Sequence, residues 1–257
     1  MLLAIDIGNT HASLGFFSGD RLVKKFRITT PREVSATEFA GLLEKLLMAE
    51  TVNQTQVEAV IASSVVPDAN PIFTEALQML CRRSPDFVDH TFPFGFRIKY
   101  EPPAAAGSDR LVDAFAAKEK YGAPCIVGDF GTATTIDAVN ADGDYIGGTI
   151  IAGMGLMLEA LSLKTAKLPK VELEKCASVI GASTVASIQS GVYFGYIGLV
   201  EGVIAQMKTE LGGAPKVIAT GGLANFLANG ADGTNVFDVV DENLLLDGLW
   251  LIHKRKQ

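Results

Sequence analysis

Short apolar blocks separated by turn formers open the chain. Residues 2–6 form an apolar run, Ile7-Gly8-Asn9-Thr10 interrupts it, and residues 13–17 resume it. After the turn Ser18-Gly19-Asp20, residues 22–28 form a third run. Such blocks predict three successive strands with tight turns. From 36 to 48 the spacing changes: Phe39, Leu42, Leu43, Leu46 and Leu47 recur at helical intervals behind Ser35, with Glu38 three residues after it. That pattern predicts an amphipathic helix entered through a capping box. Residues 59–66 read as a buried strand, 72–81 as a helix, and 111–121 as a helix entered through Gly107-Ser108-Asp109-Arg110. Alternating strands and helices predict an α/β fold.

The second half starts over in the same style. Residues 125–139 run strand, polar glycine loop, strand; a turn follows at 141–144 and a strand at 145–151. With an offset of 123, Asp6 falls on Asp129 and Gly8 on Gly131, which predicts a duplicated domain. The expected boundaries are 1–120 and 121–257. Residues 155–163 and 184–211 read as helices, the second apolar on more than one face. Residues 216–219 read as a strand ending in Thr220-Gly221-Gly222, expected to open a helix. Residues 244–253 read as a terminal helix that could pack back on the first domain, with Lys254, Arg255 and Lys256 where the helix dipole favours cations.

Composition narrows the function. In 257 residues, 48% hydrophobic and 20% charged, 22 basic against 29 acidic side chains give a net charge of −7. The chain is expected to fold as a globule, with no basic footprint for nucleic acid or an anionic membrane. The apolar stretches read as too short or interrupted for a membrane span, and the start lacks a secretory pattern, so a cytoplasmic protein is expected. Cys81, Cys125 and Cys176 never share a C-x-x-C spacing and read as small core residues; His11, His90 and His253 are scattered, against a zinc site.

The chemistry concentrates in the glycine loops. A strand ending in Asp6-x-Gly8-Asn9-Thr10 sets a carboxylate beside a turn whose backbone N–H groups suit phosphate oxygens. Like charges repel, so the sensible role of Asp6 is to hold a hydrated Mg²⁺ bridging to phosphate. Asp129-x-Gly131-Thr132 repeats the arrangement, and two such loops could grip one polyphosphate from both sides. Gly221 and Gly222 suit close backbone approach to a flat or phosphorylated ligand. Neither a P-loop nor a G-x-G-x-x-G occurs. The alternative for each loop is an Asx-type hairpin turn with no ligand.

Paired Asp-x-Gly hairpins with a later Gly-Gly turn resemble the actin, hexokinase and Hsp70-like ATPase core, two related ribonuclease H-like domains closing over ATP in a cleft. Within it the sequence resembles the type III pantothenate kinases over nearly its whole length. The resemblance rests on Asp6-Ile-Gly-Asn-Thr10, Gly107-Ser-Asp-Arg110, Asp129-Phe-Gly-Thr-Ala-Thr134, Gly147-Gly-Thr-Ile150, Ala166-Lys-Leu-Pro169, Ser187-Ile-Gln-Ser-Gly191 and Ala219-Thr-Gly-Gly-Leu-Ala224. It implies ATP-dependent phosphorylation of pantothenate, the first step of coenzyme A synthesis. It further implies that Asp6, Ile7, Gly8, Asn9, Thr10, His11, Ala12 and Ser13 contact ATP, with Thr132 doing so from the second domain. By the same resemblance Asp129 would bind a monovalent cation, K⁺ or NH₄⁺. Tyr100, Gly107, Ser108, Asp109 and Arg110 would contact pantothenate, and Thr184 would reach substrate from a neighbouring subunit of a homodimer. Asp109 matches the proposed base.

Chemistry supports that role for Asp109, since an alcohol attacking a γ-phosphoryl group must lose its proton and a nearby carboxylate can orient and accept it. The competing reading caps a helix with Ser108 or Asp109 and pairs Arg110 with Asp113; Tyr100 could equally be core. Ala152 stands where many family members have proline, and residues 102–106 lack the family's usual polar groups. A nucleotide-binding accessory or regulatory protein of the same family, without transfer activity, is the alternative function. A phosphatase or another small-molecule kinase on the same core is a further one.

Overall fold

Where the sequence predicts strand, strand, strand and helix, the chain builds β1 (Leu2–Ile7), β2 (His11–Ser18), β3 (Arg21–Thr29) and α1 (Ala36–Ala49). This is a computed structural model that describes residues 1–228 and 235–256. Ser35 caps α1 as expected: its hydroxyl accepts from the Glu38 N–H while the Glu38 carboxylate accepts from the Ser35 N–H. The chain continues through β4 (Ala59–Ser64), α2 (Asn70–Cys81), β5 (Asp86–Phe87) and α3 (Ser108–Tyr121). The second half adds β6 (Cys125–Phe130), β7 (Ala133–Val139), β8 (Tyr145–Ala152), α4 (Met154–Lys164), α5 (Thr184–Leu211), β9 (Lys216–Thr220), α6 (Ala224–Leu227), β10 (Val239–Val240) and α7 (Leu244–Arg255). The turn after β9 leads only into the four-residue α6, one turn rather than the helix expected there.

The chain divides into two units, Met1–Ala116 with Asn243–Gln257, and Ala117–Glu242. Each holds one five-stranded sheet, ordered β3-β2-β1-β4-β5 in the first and β8-β7-β6-β9-β10 in the second. In both, the first three strands are antiparallel neighbours and the last two add in parallel. The register slips at matching places, between Phe16 and Phe17 in one sheet and between Ala138 and Val139 in the other. Two related α/β halves are therefore present.

In the first unit Phe39, Leu43, Phe73 and Leu77 of α1 and α2 pack on Ile5, Leu14 and Phe16 of the sheet. α7 lies against β1, β2 and β4, and close to α3, because a Cβ on Gly248 would meet Val112 Cγ1 at 2.8 Å. In the second unit Ile188, Val192, Tyr196, Val200 and Ile204 of α5 are buried in the core. By length and composition α5 meets the requirement for a membrane span, with a mean hydropathy of 1.2. This corrects the expectation that no stretch is long enough, although a buried core helix has the same composition. Cys125 is fully buried, and burial pushes its thiol up to about 12; Cys81 and Cys176 pack half-buried against the two cores.

Candidate active site

In the first unit Asp6 lies one residue from the end of β1, opposite Ser13 on β2 and Ser63 on β4. Buried Ile7 and Ala12 anchor the hairpin in the core, while Asn9 and Thr10 are exposed. The Gly8 N–H donates to the His11 carbonyl at 3.1 Å, closing the turn. The segment after β3 takes up the loop carbonyls. Thr30 Oγ1 donates to Gly8 O at 2.6 Å and Thr30 N to Thr10 O at 3.0 Å. Arg32 donates to Asn9 O at 2.9 Å and to its Oδ1 at 3.2 Å. His11 Nδ1 lies 3.2 Å from the Arg27 guanidinium. Burial first, and the Arg27 charge second, lower the His11 pKa and favour the neutral ring.

The proposed substrate residues gather beside this loop's strand neighbour. Ser108 opens α3, and its hydroxyl is tied to the end of β4: it lies 2.9 Å from Ser63 Oγ, accepts from Ser64 N at 3.0 Å and is 3.1 Å from Ser64 O. Since Ser63 is the β4 partner of Asp6, this latch sets the start of α3 next to the end of β1. Asp109 follows at once, and its Oδ1 accepts from Arg110 N at 2.7 Å. The carboxylate lies back over Gly107, where a Cβ would meet Asp109 Oδ1 at 2.5 Å. The guanidinium of buried Arg110 stands over the Tyr100 ring, 5.4 Å from its centroid. Tyr100 is therefore a half-buried partner of Arg110, a contact suited to a cation–π attraction.

The second unit repeats the hairpin one residue shorter, since Gly131 and Thr132 alone join β6 to β7 where Gly8, Asn9 and Thr10 join β1 to β2. The Gly131 N–H donates to Ala133 O at 3.1 Å, and Gly153 N, just after β8, donates to Thr132 O at 3.1 Å. A Cβ on Gly153 would lie 2.4 Å from Thr132 O and 2.5 Å from Gly131 O. Asp129 on β6 sits between Thr135 on β7 and Thr220 on β9. The turn after β9 folds against it: at Gly221, with φ of +89°, a Cβ would lie 2.2 Å from Asp129 Oδ1 and 2.6 Å from Phe130 N. Gly222 continues the turn, and Leu223 N donates to Phe130 O at 3.0 Å. Buried Tyr196 donates to Thr134 Oγ1; burial raises its pKa, the Asp129 charge adds to the rise, and the Thr134 bond opposes it.

Thr184 lies in the second unit as the exposed first residue of α5, and Tyr100 and Gly107–Arg110 belong to the first. Among the described residues no group of three or more His, Cys, Asp or Glu could hold a metal ion. A single carboxylate amid closely packed glycine backbone, as at Asp129, instead fits a hard cation that takes oxygen ligands. Sequence reasoning missed Thr30, Arg32, Ser63 and Gly153. The available signal was the repeat itself, because Thr30 and Gly153 are 123 positions apart, as Asp6 and Asp129 are.

Known proteins resemble the chain in fold and in sequence. A protein from Clostridium difficile, the activator of the 2-hydroxyisocaproyl-CoA dehydratase solved with bound ADPNP, has the same fold at 12% identity. Its TM-score is 0.53, over 99% of this chain and 95% of that one. Type III pantothenate kinases of Brevibacillus brevis and of an Anaeromyxobacter strain are 43% and 45% identical, each over 100% of both chains. A family model described as type III pantothenate kinase matches residues 2–206. On that extent of likeness, the chain belongs to the type III pantothenate kinase family.

Proposed function

We infer that this protein transfers the γ-phosphoryl group of ATP to the terminal hydroxyl of pantothenate, giving 4'-phosphopantothenate and ADP at the start of coenzyme A synthesis. The observation that carries the reading is the Ser63–Ser108 latch, which gathers Asp6, Asp109, Tyr100 and Arg110 around the ends of β1 and β4 in a chain of this family. The backbone of residues 6–13 is assigned to ATP, with Thr132, Gly221 and Gly222 contributing from the second unit. Mg²⁺ arrives on the nucleotide and meets Asp6 through water.

Asp109 is the base. Its carboxylate, steadied by the Arg110 N–H, accepts the proton of the alcohol as the alcohol oxygen bonds to the γ-phosphorus and the bond to the ADP oxygen breaks. Arg110 pairs with the carboxylate of pantothenate. A monovalent cation at Asp129, K⁺ or NH₄⁺, would offset phosphate charge there. We place Thr184 at the substrate of a second copy in a homodimer. Its neighbours Val179, Ile180 and Val185 are 65%, 86% and 43% exposed, an apolar surface that a second copy would cover. The substrates make a cytoplasmic location the natural one.

ADP release measured with ATP, Mg²⁺ and K⁺ tests the reading. Release should require pantothenate and fall when Na⁺ replaces K⁺, and Asp109→Asn should lower kcat by about 10²-fold or more. Pantothenate-independent release would favour the accessory-protein alternative, and a fully active Asn variant would remove Asp109 from the role of base.

A further inference from the structure

We propose that Thr30 and Arg32 are positioning residues that set the Gly8-Asn9-Thr10 loop for the phosphates of ATP, an inference that rests on assigning that loop to the nucleotide. In a planar trans peptide the N–H points opposite to the C=O. With Gly8 O held by the Thr30 hydroxyl, the N–H of Asn9 turns away from the end of β3; with Asn9 O held by Arg32, the N–H of Thr10 does the same. Thr10 O, the third carbonyl in succession, is taken by Thr30 N. Three carbonyls drawn to one side leave the intervening amides directed to the other, the arrangement by which backbone binds an anion.

Folding alone does not explain the side-chain part of this arrangement. The second unit closes its equivalent loop with the same backbone bond, Gly153 N to Thr132 O at 3.1 Å, and carries glycine in place of Thr30. A hairpin on this sheet therefore closes without a hydroxyl at that position. Thr30 is nonetheless 5% exposed and spends its hydroxyl on the loop. Arg32, which is exposed, brings a positive charge to the same loop, as does Arg27 beside His11.

The full-length enzyme provides the test, through Thr30→Val, Thr30→Ser and Arg32→Gln. Thr30→Val and Arg32→Gln should each raise KM for ATP by about fivefold to tenfold, through loss of the side-chain bond to Gly8 O in the first and of the bonds to Asn9 O and Oδ1 in the second. KM for pantothenate and Ki for adenosine, which has no phosphate, should stay within about twofold. Thr30→Ser, which keeps the hydroxyl, should restore KM for ATP. Arg32→Gln changes an exposed residue and carries the test if Thr30→Val does not fold. Unchanged KM for ATP in the folded variants overturns the proposal, as does a rise in Ki for adenosine that matches the rise in KM for ATP. Amide NMR of the unsubstituted protein separates the two failures. If the Asn9 and Thr10 N–H signals shift with adenosine as much as with ATP, the loop assignment itself is wrong; if they respond to the phosphates while the variants keep their KM, only the positioning role falls.

Discussion

At the first hairpin the end of β3 reaches the loop with side chains, Thr30 and Arg32; at the second, the end of β8 reaches it with the backbone of Gly153, where a Cβ would strike two carbonyl oxygens. The two acidic positions differ in the same sense. The missing Cβ of Gly107 makes room for the end of one flexible side chain, the Asp109 carboxylate, whereas that of Gly221 makes room for Asp129 and for the Phe130 backbone at 2.6–2.8 Å. The same strand order is thus finished in the first unit by adding side chains and in the second by leaving them out. Changes to the first should be graded, because side chains can move; changes to the second should be severe, because backbone cannot.

Gly221→Ala breaks or upholds that contrast most directly. A Cβ at positive φ costs about 1–2 kcal/mol, and displacing the backbone it meets about 1–3 more, so a loss of roughly 3 kcal/mol in urea unfolding is expected. Gly153→Ala, at ordinary φ but against two carbonyls, should cost about 1–3 kcal/mol. The matched change in the first unit, Thr30→Ala, removes one hydrogen bond and should cost about 1 kcal/mol. If Thr30→Ala proves the more damaging of that pair, the contrast fails.

Gly107→Ala sharpens it at the level of rate. Here the atoms nearest the new Cβ are those of the Asp109 carboxylate and, at 3.6 Å, Val65 Cγ1. The fold should lose about 1 kcal/mol, because the displaced carboxylate gives up its bond from the Arg110 N–H but no backbone has to move, while the folded variant loses about tenfold in kcat. An unchanged kcat in the folded variant would show that Gly107 serves packing instead of the orientation of Asp109.

Those glycines were visible in the sequence, but the reason for each was not. Gly8 and Gly131 stand out because turn formers between apolar runs announce a hairpin, and the offset of 123 exposes the repeat. β5 and β10, two residues each, are too short to carry an alternating pattern. α3 starts three residues earlier than the apolar spacing shows, because its first turn is fixed by Ser63 and Ser64, more than forty residues back in the chain. Thr30 and Arg32 escape for the same reason: they bind backbone carbonyls 22 and 23 residues away, and a carbonyl has no signature in a sequence. The longer strands and helices and the identity of the acidic loops are legible, whereas the two-residue edge strands and the contacts that aim those loops are not.

The smallest expected effect divides the units by pH. His11, His90 and His253, all of the chain's histidines, belong to the first unit. Burial is the main cause of a lowered pKa at both His11 and His253, with Arg27 adding at the first, and Lys256 adding but Asp86 opposing at the second. A pKa lower in the folded state than the ordinary 6.5 means the unfolded chain takes up protons first. The stabilisation is therefore complete above pH 6.5 and is lost as pH falls through the folded values, before most carboxylates titrate. The chain's one tryptophan, Trp250, reports on this unit, stacked on Phe17 with its indole N–H donating to Gly19 O at 2.8 Å. Its fluorescence should show the urea midpoint falling between pH 7.5 and 5.5, and replacing His11 and His253 with Gln should flatten that fall. A midpoint that drops as steeply in the double variant would trace the acid sensitivity to other groups and remove the histidines as a difference between the units.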